Sequence, residues 1–187
     1  MSERLFQQTW PEGEYRLFQI GFVVDDQHAA AERWARVFGV GPFHVLPRAE
    51  STCTYRGSAA ALDVQVGVAQ AGPVQIELIK DYSPGESIFR EFENARSGFH
   101  QLCTLTADYD ATRAHYLGLG YELVCEIVMP EQRVAYFDTI ADFGFYTEIA
   151  EVVPAFVAAL AGISRTCADW DGTDPVRLLT RDGYRVP

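Results

Sequence analysis

Two stretches of this chain open on a polar residue set in an apolar strand and close on a glutamate set in another. That repetition constrains the fold more than any other feature. The first stretch runs from Gln19-Ile20-Gly21-Phe22-Val23-Val24 to Val74-Gln75-Ile76-Glu77-Leu78-Ile79. The second runs from His100-Gln101-Leu102-Cys103-Thr104-Leu105 to Phe145-Tyr146-Thr147-Glu148-Ile149. In each, the opening strand leads through an acidic turn, Asp25-Asp26 or Asp108-Tyr109-Asp110, into an Ala- and Arg-rich helical stretch. A duplicated unit that returns polar side chains to matching places can build one site between its copies. Here the matched set is Gln19, Glu77, His100 and Glu148.

The apolar run over 16–24 predicts a strand, and Asp25 or Asp26 suits the N-terminus of a helix over 27–38. Ala30, Trp34 and Phe38 share one face of that helix; Gly39 suits its end and Gly41-Pro42 prevents continuation. Strands follow near 43–48, 52–57, 62–70 and 73–80. Pro84-Gly85 marks a junction, after which Ile88, Phe89 and Phe92 give a helix over about 86–95 an apolar face. The second half repeats the design: strand 98–106, helix 109–118 closed by Gly118 and Gly120, and strands near 121–128, 132–139 and 144–151. The unit is β-α-β-β-β, twice, in one α+β domain. Module 1 covers about 16–80 and module 2 about 98–151, with a helix and tail over 152–187. Residues 1–14 read as a loose arm and Ala155 to Ala161 as a short helix; Trp170, Leu178 and Leu179 are available to pin the polar tail.

Strand alternation decides which residues share a face. Glu148 shares its face with Tyr146 and Ala150, and Glu77 with Gln75 and Ile79. His100 is expected beside Leu102 and Thr104, and Gln19 beside Gly21 and Val23. The opposite faces are largely apolar and suit packing under helices, so the polar faces line a cup. Tyr136, Tyr146, Thr104 and Gln75 are its expected substrate-facing residues.

The 187 residues carry a formal net charge of -11, which argues against nucleic-acid and anionic-membrane surfaces, since these require clustered Lys and Arg. No run approaches the roughly 18 apolar residues of a membrane span, and Met1-Ser2-Glu3-Arg4 lacks the order of a secretion signal. A cytoplasmic protein is expected. Cys53, Cys103, Cys125 and Cys167 are scattered without a C-x-x-C pair, so cysteine-held zinc is not expected.

Taken singly, Glu77 and Glu148 read as exposed or paired carboxylates and His100 as a hydrogen-bonded structural histidine. His28 and His115 lie in helices, and a packing role is expected for His44. Taken jointly, one imidazole, one amide oxygen and two carboxylates suit a divalent ion, Zn, Ni, Co, Mn or Fe, with positions open to substrate.

With these residues in view the chain resembles the vicinal oxygen chelate superfamily, which includes glyoxalase I, methylmalonyl-CoA epimerase, extradiol dioxygenases and bleomycin-resistance proteins. The resemblance covers about 16–151. It rests on the paired modules, Gln75-Ile76-Glu77-Leu78-Ile79, Ser87-Ile88-Phe89-Arg90-Glu91-Phe92, Gly98-Phe99-His100-Gln101-Leu102 and Tyr146-Thr147-Glu148-Ile149. It implies curled sheets around a divalent ion, with Gln19, Glu77, His100 and Glu148 as ligands, and a homodimer, to which the apolar residues of the tail would add surface. The junction and Gly-x-His-x-Leu stretches look most like the epimerase, although that enzyme usually carries His where Gln19 stands. Some epimerases add a third-strand carboxylate as second base, for which Asp63 is the nearest candidate.

The expected function is that of a metal-dependent isomerase, epimerase or lyase of the glyoxalase or epimerase type. It would remove a proton next to a metal-bound carbonyl of a small organic substrate, a CoA thioester or an aromatic catabolite. Glu148 is the expected base and Glu77 the second candidate. A metal-free base is the variant that the weak ligand Gln19 leaves open. The rivals are a non-catalytic binding protein of the bleomycin-resistance type and, ranked lower, a ring-cleaving dioxygenase.

Overall fold

The computed structural model describes residues 16–91, 97–130, 132–180 and 183–187. The first half comprises β1 (Arg16–Val24), α1 (Gln27–Phe38), β2 (Phe43–Val45), β3 (Ala49–Tyr55), β4 (Ser58–Ala71) and β5 (Val74–Asp81). The second comprises β6 (Ser97–Thr106), α2 (Tyr109–Gly118), β7 (Leu123–Val128), β8 (Arg133–Phe137), α3 (Ile140–Phe143) and β9 (Tyr146–Glu151). The tail holds α4 (Pro154–Ala168), β10 (Val176–Thr180) and β11 (Gly183–Arg185). The two acidic turns do matched work: Asp26 accepts from Ala29 N and Asp108 from Ala111 N, each at 3.0 Å. A side-chain oxygen thus satisfies an amide that the helix cannot.

Among the described residues, eight strands close into a ring in the order β5-β1-β6-β9-β8-β7-β3-β4, with β4 returning to β5. The halves meet along two seams, β1 against β6 and β3 against β7. β2, β10 and β11 extend the sheet outward from β4. This is the α+β, curled mixed sheet expected from the paired modules.

Side-chain alternation divides the core in three. The lumen holds Val23, Leu62, Ile79, Cys103, Cys125, Tyr136 and Tyr146. The outer face of β1 and β5 packs under α1 through Ile76, Leu78 and Ala31, and that of β8 and β9 under α2 through Phe137, Ile149 and Tyr109. No helix among the described residues is long and apolar enough to cross a membrane.

Four expectations change. Of the junction helix only the 3-10 turn Ile88–Arg90 forms among the described residues, and 92–96 lie outside them, as does the arm 1–14. Ile88 and Phe89 both plug the lumen, and fully burying each stabilises by about 1.5–3 kcal/mol. A surface helix would bury only one stripe. Phe38 does not join Ala30 beneath α1 but is 66% exposed at its end. α4 runs from Pro154 to Ala168, well beyond the short helix expected. The tail packs on its own chain: β10 pairs in parallel with β2, and Trp170 lies over Gly41, where a Cβ would stand 2.8 Å from the indole ring.

Candidate active site

The four strands β5, β1, β6 and β9 are neighbours and carry the polar residues of the repeat. In the first half Gln19 pairs with Gln75, two residues before Glu77. In the second, Gln101 pairs with Tyr146, two residues before Glu148. Across the seam, Gln19 stands opposite Cys103 and Gln101 opposite Gly21. The counterpart of Gln19 is therefore Gln101, not His100.

A matched irregularity causes this. The β1–β6 pairing skips one residue on each strand, Phe18 on β1 and His100 on β6, a bulge that shifts which side chains face inward. From 101 onward Gln101, Cys103 and Leu105 belong to the lumen, while Leu102 and Thr104 take the other face. Thr104 is thus not a lumen residue, contrary to the alternation counted from His100. The signal for Gln101 was present in the sequence: Gln19 and Gln101 each stand seven residues before the aspartate that caps the following helix.

Gln101 bridges the two carboxylates. Its Nε2 donates to Glu77 Oε2 at 3.0 Å and to Glu148 Oε2 at 3.2 Å. Its Oε1 contacts His100 Nδ1, and His100 Nε2 lies 3.1 Å from Ile88 O. Both ring nitrogens face acceptors, which a protonated ring satisfies at both ends, whereas burial pushes the His100 pKa down. Gln19 Nε2 donates to Gln75 Oε1 at 2.7 Å, and Gln75 Nε2 is buried without a partner. Gln75, Tyr136 and Tyr146 are buried, the two tyrosines among the lumen side chains.

Burial sets the electrostatics. It raises the Glu148 pKa from 4.5 to about 7, against the lowering effect of hydrogen bonds from Gln101, Cys103 and Tyr136. Burial, and then repulsion from Glu148, raises Glu77 well above the ordinary range. Both shifts run in the direction expected of two adjacent buried carboxylates, which cannot both ionise cheaply. Burial and the same carboxylates also push Cys103 and Tyr136 upward, keeping thiol and phenol neutral donors.

Asp63 is no second base. It lies outside the lumen, where the Arg48 guanidinium holds both its oxygens and lowers its pKa. A cleft of about 550 Å³ opens beside this pair, between Arg48, Asp63, Leu62 and Tyr82. A second, of about 280 Å³, adjoins it at Ala61 and Pro84 and reaches Tyr55.

The residues present do not fit the divalent ion that the sequence suggested. The position between the carboxylates is spanned by an amide NH2, a donor that opposes a cation. The nitrogens of His100 face Gln101 and Ile88. Among the described residues, no three His, Cys, Asp or Glu side chains are grouped to hold a metal. In this structure the Gln101 amide lies between the two carboxylates.

Residues 18–137 match the family model of the glyoxalase/bleomycin resistance protein/dioxygenase superfamily. No curated protein matches the chain. Among solved structures it is similar to methylmalonyl-CoA epimerase from Mycobacterium tuberculosis, with 18% identity, 80% of this chain and 97% of that one covered, and a TM-score of 0.56. A hypothetical protein from Bacillus halodurans C-125 follows, with 14% identity, 74% and 94% coverage, and a TM-score of 0.53. A methylmalonyl-CoA epimerase in complex with methylmalonyl-CoA and NH4+ shows 19% identity, 75% and 96% coverage, and a TM-score of 0.52. At these identities the likeness is one of fold.

Proposed function

The chain belongs to the glyoxalase/bleomycin resistance protein/dioxygenase superfamily, and on that footing we propose that it moves a proton next to a carbonyl, as an isomerase or epimerase does. One observation carries the reading: two carboxylates sit either side of Gln101, one pushed to a pKa of about 7 and its partner well above the ordinary range. A base works best when its pKa lies near the operating pH. Environments that separate two carboxylates assign one as base and the other as acid.

In this reading Glu148 takes the proton from the carbon beside the carbonyl, leaving an enolate. Glu77, protonated at the start, returns a proton to that carbon. Once Glu148 holds the substrate's proton, the Gln101 N–H and Tyr136 hydroxyl that donated to it are released to the enolate oxygen. Methylmalonyl-CoA epimerases are among the proteins that share this fold.

The test is solvent deuterium exchange into α-acidic carbonyl compounds and CoA thioesters, comparing the wild type with Glu148→Gln. Exchange by the wild type that the variant loses supports the reading. No exchange from any such compound would favour the second reading, capture of a small molecule without chemistry. That reading draws on the 550 Å³ cleft, which lies outside the lumen.

A homodimer remains our expectation, on a new footing now that the tail packs on its own chain. Phe38, Trp34, Phe22, Phe99, Phe145 and Phe143 form a continuous row of ring contacts across the β1–β6 seam. Phe38, Phe99 and Phe143 leave apolar surface open there. A light-scattering mass near 20.9 kDa would reject it.

A further inference from the structure

At the mouth of the lumen the chain holds one of its own carboxylates in a fork of four donors. Arg56 Nε and Nη2 donate to the two oxygens of Glu91, each at 2.8 Å. Tyr55 and Tyr146 donate their hydroxyls to the same two oxygens. A guanidinium met edge-on by a carboxylate is the strong, bidentate form of this pairing. The two phenols complete a donor set that matches any carboxylate of that shape.

The fork is built independently of the residue it holds. Tyr55 ends β3, Arg56 occupies the turn into β4 and Tyr146 begins β9, so it spans both halves of the chain. Arg56 is further oriented by Glu122 Oε1 at 2.9 Å and by donation from its own amide to Val124 O at 2.7 Å. Its backbone sits at φ 44° beside Gly57 at φ 78°, as the two-residue hairpin turn between Tyr55 and Ser58 requires. Glu91, by contrast, follows the short turn Ile88–Arg90, which enters the lumen as a plug.

We propose that Arg56, Tyr55 and Tyr146 form a binding site for the carboxylate end of a small organic acid, and that Glu91 occupies it as an intramolecular stand-in. This deepens the proton-transfer reading, and rests on it, by naming the substrate class: a carboxylic acid that also carries an acidic carbon beside a carbonyl. Tyr146 and Glu148 are alternate residues of one strand and point into the same lumen. They are roughly 7 Å apart along it, a span that one short molecule covers. The smaller cleft, which reaches Tyr55, gives a ligand its approach.

The test is calorimetric titration of malonate into the full-length wild type, Glu91→Ala, and Glu91→Ala combined with Arg56→Met. Removing an internal competitor raises apparent affinity by the fraction of sites it had blocked. Glu91→Ala should therefore bind malonate roughly tenfold or more tightly than the wild type, and the added Arg56→Met should abolish the gain. Equal binding by wild type and Glu91→Ala, or a gain that survives Arg56→Met, overturns the proposal. Should Glu91→Ala fail to fold alone, recovery of its wild-type melting temperature by malonate supports the site, and failure to recover counts against it. Glu148→Gln in the Glu91→Ala background should still bind malonate. Failure of the base assignment therefore shows only in deuterium exchange, and failure of the fork only in binding.

Discussion

Gly21 and Gln101 face one another across the β1–β6 seam so closely that a Cβ on Gly21 would lie 2.4 Å from the amide carbon of Gln101. The glycine is required by this approach, which leaves the amide NH2 between the carboxylates of Glu77 and Glu148. Gly21→Ala should push the amide out of that position. The cost in stability should be about 1–3 kcal/mol, as for overpacking elsewhere, measured by urea unfolding. Deuterium exchange by the folded variant should fall at least tenfold, roughly the effect of losing a hydrogen bond to a charged group. Wild-type exchange in a folded Gly21→Ala protein would remove Gln101 from the machinery.

Glu148→Gln and Glu77→Gln should fail differently. Glu148→Gln keeps the shape but cannot accept a proton, so kcat for exchange should fall about 10²-fold or more with KM little changed. Glu77→Gln retains the base and loses the acid, so it should still exchange the proton with solvent while inverting the centre poorly. Chiral analysis of the product beside the exchange rate separates the two. Equal loss of both readouts in both variants would contradict the division of labour.

Stability should carry the signature of raised carboxyl pKa values. A carboxyl whose folded pKa lies above its unfolded one contributes stability that is fully present below the unfolded value. For Glu148 that contribution is lost as pH rises from 4.5 through about 7. Between pH 5 and 8 the wild type should therefore lose on the order of a few kcal/mol relative to Glu148→Gln, which has no charge to bury. Denaturant midpoints of the two proteins at both pH values check this. Parallel behaviour would contradict the burial of an ionisable Glu148.

The fold was legible because it rests on patterns a sequence displays: strand alternation, two capping aspartates, and glycine after each first helix. The site was legible only to within one residue. Counting alternation from His100 put Leu102 and Thr104 in the cup. The bulge at 100 reverses that count, and a bulge depends on pairing with a distant strand, so no local propensity announces it. His100 drew attention as an imidazole, whereas the repeat itself points to Gln101. The junction departs from its local pattern for a related reason. Ile88 and Phe89 suit a helical stripe in isolation, but a closed barrel with an unfilled lumen takes both as a plug.

Metal content provides a check on the same site. With an amide NH2 between the carboxylates, protein purified without an affinity tag should retain well under one equivalent of any divalent ion after gel filtration. Chelator should leave deuterium exchange unchanged. A tightly held equivalent whose removal abolishes exchange would mean that Gln101 turns its oxygen inward.

The central claim is that Glu148 is a carboxyl group poised to exchange a proton at neutral pH. Carbon-13 NMR of protein labelled at the glutamate carboxyls, titrated from acid to alkaline pH, reads this directly. The account expects one carboxyl titrating near 7, whose signal disappears in Glu148→Gln. A wild type in which every glutamate carboxyl titrates at or below about 4.3, the ordinary value, would contradict it.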